Sequence, residues 1–308
     1  MSFDRLINKI IAMKNPSVVG LDPKLEYLPT FLCESYREKY GNTLKAASEA
    51  IYAFNCTIID QIYDIVPAIK PQAAYYEMYG YEGVYTLYRT ICYAKQKGMY
   101  VITDGKRNDI GATMQAYATA HLGSVNIWNQ EVEPFGADAL TVNGYLGTDG
   151  ITPLLNICKE KDKGIFVLVK TSNPSSGELQ DRCIGEEPVY CVMGDMCETW
   201  GAEQIGAYGY SSVGAVVGAT YPEQLTELRK RLPHTFFLVP GYGAQGGGAE
   251  GVSKAFDKNG LGAIVNSSRA IMCAYKKEEH CPEEEFASAA RREAIRMRDD
   301  IVTHIHLS

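Results

Sequence analysis

The chain has 308 residues, 46% of them hydrophobic, with a net charge of −7 and a pI near 5.4. That length can bury a large core, as one α/β domain or two smaller ones, and the acidic balance argues against a broad nucleic-acid surface while leaving room for a small anionic substrate held by local cations or backbone N–H groups. No apolar run is long enough to span a membrane, and Met1-Ser2-Phe3-Asp4-Arg5-Leu6 lacks the signal-peptide pattern, so the expected compartment is the cytoplasm, with neither nucleic acid nor membrane as partner.

Eight short apolar or β-branched runs recur along the chain, near residues 17–21, 66–70, 99–104, 138–142, 165–170, 213–218, 235–239 and 262–266. Between them, Ala47, Ile51, Phe54 and Ile58 recur at helical spacing and predict a helix over 44–64. Residues 80–97 and 111–130 also read as helices, as does the stretch from about Pro188 to Gln204. Glu223 to Leu232 and Glu283 to Arg298 are charged and amphipathic. Eight strands alternating with helices predict a (β/α)8 TIM barrel in preference to a doubly wound sheet. With no solenoid repeat and no low-complexity linker, residues 1–308 are expected to form a single domain. The longest connection runs from Ser172 to about Tyr210 and opens Ser-Asn-Pro-Ser-Ser-Gly, a loop by composition and a candidate lid.

The nine cysteines include no Cys-x-x-Cys pair and read as reduced, mostly buried thiols. None of the five histidines ends an apolar strand-like run, and His304-x-His306 fits a solvated tail better than a metal site. No metal site and no Ser–His or Cys–His catalytic arrangement is expected.

The stretch Asp104-Gly-Lys106-Arg-Asn-Asp109 directly follows the apolar run 99–103. Strand alternation puts Asp104 and Lys106 on one side, with Asp109 beyond, in the loop or first helical turn. Two acids and an ammonium at a strand end are costly unless they pair. Taken alone, an ordinary strand-to-helix loop with Asp109 as a helix N-cap would explain the stretch. In a barrel, however, all strand C-termini converge on one rim, where this fold places its chemistry. The other runs end at Asp22, at Lys70-Pro-Gln72, at Asn143, at Lys170-Thr-Ser172, at the glycine-rich stretch from Pro240 through Gln245 to Gly247, and at Ser268-Arg269. Each has a structural reading: a turn for Asp22, a snorkelling Lys70, a surface ion pair for Arg269. Gln72, Asn143 and Lys170 stay open between structure and function. Joint placement at seven of the eight strand ends is what those readings leave unexplained. The last two loops suit a phosphate, with glycines admitting backbone N–H groups and Gln245 and Arg269 as further donors.

These residues resemble the orotidine 5′-monophosphate decarboxylase family, in the longer form found in many bacteria and some protozoa. The resemblance runs from Gly20-Leu21-Asp22 to Ser268-Arg269-Ala270 and rests on Asp104-x-Lys106-x-x-Asp109-Ile110 followed by Thr113, on Lys170-Thr-Ser172-Asn-Pro174, and on Pro240-Gly-x-Gly-x-Gln245. It implies that Lys70, Asp104, Lys106 and Asp109 form an alternating charged array, with Asp109 supplied by the partner of a homodimer. It implies that Lys106 protonates C6 of the pyrimidine as CO2 leaves, with Asp104 near the departing carboxylate. Asp22 and Lys70 would bind the ribose hydroxyls with Thr113 and Asp109 across the interface, Ser172 the pyrimidine, and Gln245 and Arg269 the phosphate. No cofactor or metal is implied. That chemistry is physically coherent: loss of CO2 leaves a C6 carbanion with no adjacent π sink, which a nearby ammonium can stabilise and then protonate.

Two other readings compete. Related barrels acting on sugar phosphates share a similar Asp-x-Lys-x-x-Asp stretch but use Mg2+ with an additional acidic ligand, where this chain has Lys70 and the Lys170–Pro174 signature. A silent nucleotide-binding barrel would gain stability by losing its repulsive carboxylates.

Overall fold

The computed structural model describes residues 1–243 and 248–307; Gln245 lies outside them. Eight parallel strands close into one barrel: β1 (Ser17–Leu21), β2 (Ala68–Pro71), β3 (Tyr100–Arg107), β4 (Ala139–Val142), β5 (Gly164–Lys170), β6 (Val213–Val217), β7 (Phe237–Pro240) and β8 (Ala263–Ser267), in sequential order with β8 returning to β1. The helices are α1 (Ser2–Met13), α2 (Thr30–Tyr40), α3 (Leu44–Ile62), α4 (Ala74–Glu77), α5 (Gly80–Gln96), α6 (Gly111–His121), α7 (Thr152–Lys161), α8 (Val189–Gly201), α9 (Pro222–Arg231), α10 (Ala249–Ser253), α11 (Arg269–Met272) and α12 (Phe286–Val302). The barrel and its eight strands agree with the sequence reading, with boundaries shifted by a few residues. Among the described residues, no helix is long and apolar enough to cross a membrane.

The strands form because β-branched and aromatic residues are buried on both faces, as a helix-covered parallel sheet requires. One face of each strand packs under the helices, where Ile51, Phe54 and Ile58 of α3 meet Val19 and Ile69. α3 starts at Thr43, whose side-chain oxygen accepts from the Ala46 N–H at 3.2 Å.

The opposite face fills the barrel interior. Val18, Ala68, Tyr100, Ile102, Ala139, Phe166, Val216, Leu238 and Ile264 form a second cluster, closed from below by Phe3, Leu6, Ile7 and Ile10 of α1. The Phe3 ring lies 4.9 Å from Phe166 and 5.3 Å from Phe236. A side chain at Gly164 would run into the Phe3 ring, 2.8 Å from its Cβ position. α1 thus plugs the N-terminal end of the barrel and leaves the C-terminal rim as the open one. The reading above did not include this helix, although Phe3, Leu6, Ile7 and Ile10 recur at helical spacing.

One expectation is corrected. The helix predicted over 111–130 ends at His121, and Val125–Ile127 pairs antiparallel with Gln130–Val132 in an exposed hairpin. Trp128 and Asn129 turn it with φ of 46° and 72°, the left-handed pair that a two-residue hairpin loop requires. The β-branched residues on either side then extend rather than coil.

Candidate active site

Period-two alternation carries the interior face of each strand up to the rim. Two residues above Ala68 stands Lys70, above Ile102 Asp104, above Ala139 Thr141, and above Ile264 Asn266. A polar layer therefore sits directly on the apolar plug. Its centre is Asp104, with only 7% of its surface exposed.

Lys70 Nζ lies 2.6 Å from Asp104 Oδ2, and Lys106 Nζ lies 2.6 Å from Asp104 Oδ1. Thr141 Oγ1 donates to the same Oδ1 at 2.8 Å. Burial alone would raise the Asp104 pKa, yet Lys70 and Lys106 hold its carboxyl well below the usual carboxylate range. Burial likewise opposes the charge on Lys70, but Asp104 and then Asp22 outweigh it and raise its pKa. Both partners are thus ionised at neutral pH. The Lys106 side chain remains 45% exposed, which separates a fixed ammonium from one that reaches into open space.

Lys106 does not get there by regular strand geometry. The β3–β4 register jumps from Thr103↔Leu140 to Arg107↔Val142, so three residues of β3 lie opposite the single residue Thr141. Within that bulge Lys106 has φ 48°, a conformation that costs a non-glycine residue about 1 kcal/mol or more. Asp104 and Lys106 do share a side, but by way of the bulge rather than simple alternation.

Two cavities meet at this cluster. One, about 350 Å3, is lined by Asp22, Tyr75, Asn266, Ser268 and Arg269. The other, about 450 Å3, is lined by Lys106, Thr141, Thr171, Ser172, Asn173 and Gln180. Lys70, Asp104 and Pro240 border both. Asp22 and Asn266 line the first cavity, and one oxygen of each, Asp22 Oδ1 and Asn266 Oδ1, is buried with no hydrogen-bond partner among the described residues. The loop after β5 is stitched down beside the second: the Gln180 side-chain oxygen accepts from the Thr171 N–H at 2.9 Å, and fully buried Lys170 reaches Asp181 at 2.6 Å and Ser176 Oγ at 3.2 Å.

Of the residues singled out from sequence, Asp22, Lys70, Asp104, Lys106, Ser172 and Arg269 line this double cavity. Asp109 and Thr113 do not. The Asp109 carboxylate accepts from the Ile110 N–H at 2.8 Å, Ile110 rather than Asp109 caps α6, and Thr113 is exposed. Gln72 and Asn143 line neither cavity; the Asn143 side chain accepts from the Tyr145 N–H at 3.0 Å. Lys170 binds the loop rather than the cavity. The sequence places Thr141 and Asn266 at strand ends without giving them a role; the period-two count upward from Ala139 and Ile264 puts both on the interior face at the rim.

Comparison with known proteins gives this geometry a family. Residues 19–283 match the orotidine 5′-phosphate decarboxylase / HUMPS family. The chain is 46% identical over 305 residues to the orotidine 5′-phosphate decarboxylase of Rhodopirellula baltica, covering 98% of this chain and 99% of that one. It is 41% identical over 277 residues to that of Caldicellulosiruptor bescii, covering 90% and 91%. Among solved structures, the Leishmania donovani OMP decarboxylase superposes with a TM-score of 0.71 at 30% identity, over 97% of this chain and 99% of that one. Leishmania donovani UMP synthase superposes with a TM-score of 0.73 at 31% identity, over 97% of this chain and 57% of that longer one. Those decarboxylases are carboxy-lyases by name, and this chain is an enzyme belonging to the orotidine 5′-phosphate decarboxylase / HUMPS family.

Proposed function

We propose that the protein converts orotidine 5′-monophosphate to UMP and CO2 in pyrimidine nucleotide synthesis, in the cytoplasm, with the whole chain working as one barrel domain and the reaction at its C-terminal rim. The observation that carries this reading is the buried Asp104 carboxylate held between two ammonium groups, one fixed and one exposed to a cavity, at the junction of two chambers.

The C6–carboxylate bond breaks heterolytically, CO2 departs and the electron pair stays on C6. Lys106 stabilises that pair in a site of reduced dielectric and delivers an Nζ proton to C6, then regains one from solvent. Its exposure to the cavity, against the burial of Lys70, supports it as the donor. Asp104 anchors the ammonium beside the departing carboxylate. Lys70 and the unpartnered Asp22 oxygen suit the ribose hydroxyls. Arg269, exposed in the lining of the first cavity, suits the phosphate together with Gln245, and Ser172 in the second cavity suits the pyrimidine. No step calls for a metal or a cofactor.

Asp109 and Thr113 enter this scheme from a second copy of the chain. Around Asp109, residues Ile110, Tyr117, Tyr145 and Leu146 are exposed apolar side chains, a patch suited to burial in a homodimer. There Asp109 would complete the neighbour's charged array, and Thr113 would reach its ribose. Trapping the CO2 released from carboxyl-labelled orotidine 5′-monophosphate tests the reading. Equimolar CO2 and UMP are expected, and unconsumed substrate with folded protein would refute it.

A further inference from the structure

We propose that Thr141, on β4, is a positioning residue for this decarboxylation: its hydroxyl closes a ring that fixes the Asp104 carboxylate and the Lys106 backbone together. The inference rests on the function proposed above.

Thr141 is 1% exposed and is the single β4 residue facing the three-residue bulge 104–106. The Lys106 N–H donates to Thr141 Oγ1 at 3.0 Å, Thr141 Oγ1 donates to Asp104 Oδ1 at 2.8 Å, and Lys106 Nζ donates to that same Oδ1 at 2.6 Å. The directions are fixed by chemistry. A backbone N–H can only donate and an ionised carboxylate can only accept, so the one hydroxyl proton must point at Asp104. The bulge takes the Lys106 N–H out of the strand ladder and turns the residue to φ 48°. Without the threonine oxygen that N–H would have no partner in the ring, and nothing else in the ring would hold the left-handed turn. A branched Cβ on a strand also restricts χ1, so the hydroxyl is presented in one orientation.

The consequence concerns placement rather than contact. Thr141 holds the start of the Lys106 side chain and the carboxylate at its tip, so the path of the ammonium is set at both ends. Of the groups proposed to hold the nucleotide, Asp22, Lys70, Ser172 and Arg269 share no described hydrogen bond with Thr141, which meets the second cavity as part of its wall. A valine preserves that wall, so loss of the hydroxyl should act on the chemical step far more than on binding.

The test compares wild type, Thr141→Val and Thr141→Ser in kcat and KM for orotidine 5′-monophosphate and in Kd for UMP. Valine keeps the shape and removes the hydroxyl; kcat is expected to fall roughly 10- to 100-fold, the scale of a small misplacement of a reacting group, with UMP affinity at the wild-type value. Serine should restore most of kcat. Wild-type kcat in Thr141→Val, equal losses in valine and serine, or a loss of UMP affinity parallel to kcat would each overturn the inference. Should Thr141→Val not fold, Thr141→Cys replaces it, with a thiol too weak a donor to close the ring; kcat equal to that of Thr141→Ser would then overturn it. Wild-type protein that leaves the substrate unchanged refutes the functional reading itself, whereas active wild type with an unimpaired variant refutes only the role of Thr141.

Discussion

Lys70 and Asp104 form the only ion pair among the described residues in which both side chains are at least nine-tenths buried, with Nζ and Oδ2 2.6 Å apart. Such a pair gains little net stability over an apolar substitute, because desolvation consumes most of the attraction. Its presence on top of an apolar plug is therefore better explained by chemistry than by folding. Removing one partner is another matter, since the other charge is left stranded.

Asp104→Asn strands Lys70. The variant should lose about 3 kcal/mol of stability at neutral pH, the usual cost of breaking a buried pair, together with turnover. Urea unfolding at pH 7 checks the first part. A midpoint equal to that of wild type would show that Lys70 does not depend on this carboxylate.

Arg269 is exposed at the edge of the first cavity and makes no ion pair among the described residues, which suits a group waiting for an anion. Arg269→Ala should lower kcat/KM for orotidine 5′-monophosphate roughly 10- to 100-fold, the value of one charge-assisted hydrogen bond. Orotidine without its phosphate should be turned over equally by variant and wild type. An equal loss on both substrates would assign Arg269 a structural role instead.

The shared-site scheme predicts complementation. Asp109→Ala and Lys106→Ala proteins, each inactive alone, should regain activity when their subunits are exchanged, because one of the two sites in a heterodimer is then intact. Absence of recovery, with exchange demonstrated by native mass spectrometry, would count against an Asp109 supplied by the partner.

His121 supplies a pH test. It is buried against Phe135, with ring centroids 5.0 Å apart, and its Nδ1 has no hydrogen-bond partner among the described residues. Burial, with Arg107 as a smaller contribution, lowers its imidazole to about 4. The unfolded chain, with an ordinary histidine, binds the proton at higher pH. Between about pH 6.5 and 4 the unfolded state therefore holds more protons, and stability falls as pH falls, by at most about 3 kcal/mol from this group. Above that window the residue contributes no slope. His121→Gln should flatten the stability–pH curve in that interval, and an unchanged curve would show that His121 is not the group responsible.

Much of this is legible in the sequence, and the reason is periodicity. Parallel strands buried on both faces leave apolar runs that stand out, and two opposite charges such as Asp104 and Lys106 directly after such a run have few structural explanations. Thr141 was not legible in the same way, because threonine is common in strands and its hydroxyl usually serves the backbone. α1 was missed because a helix that plugs a barrel lies outside the strand–helix alternation. The hairpin at Val125–Val132 reads as helix because its fate depends on two left-handed residues, and only Asn129, not Trp128, is of a type that favours that conformation. Asp109 reads clearly as a motif residue, but a single chain leaves its carboxylate on the surface.

The central claim is that this charged cluster decarboxylates orotidine 5′-monophosphate with Lys106 as proton donor. The direct measurement is the ultraviolet absorbance change of that nucleotide on adding purified wild type or Lys106→Ala, each in EDTA with nothing else present. Rapid conversion to UMP by wild type and none by the variant, with UMP binding retained, is the predicted result. Wild-type protein that is folded and dimeric yet leaves the spectrum unchanged, or a variant as fast as wild type, would contradict it.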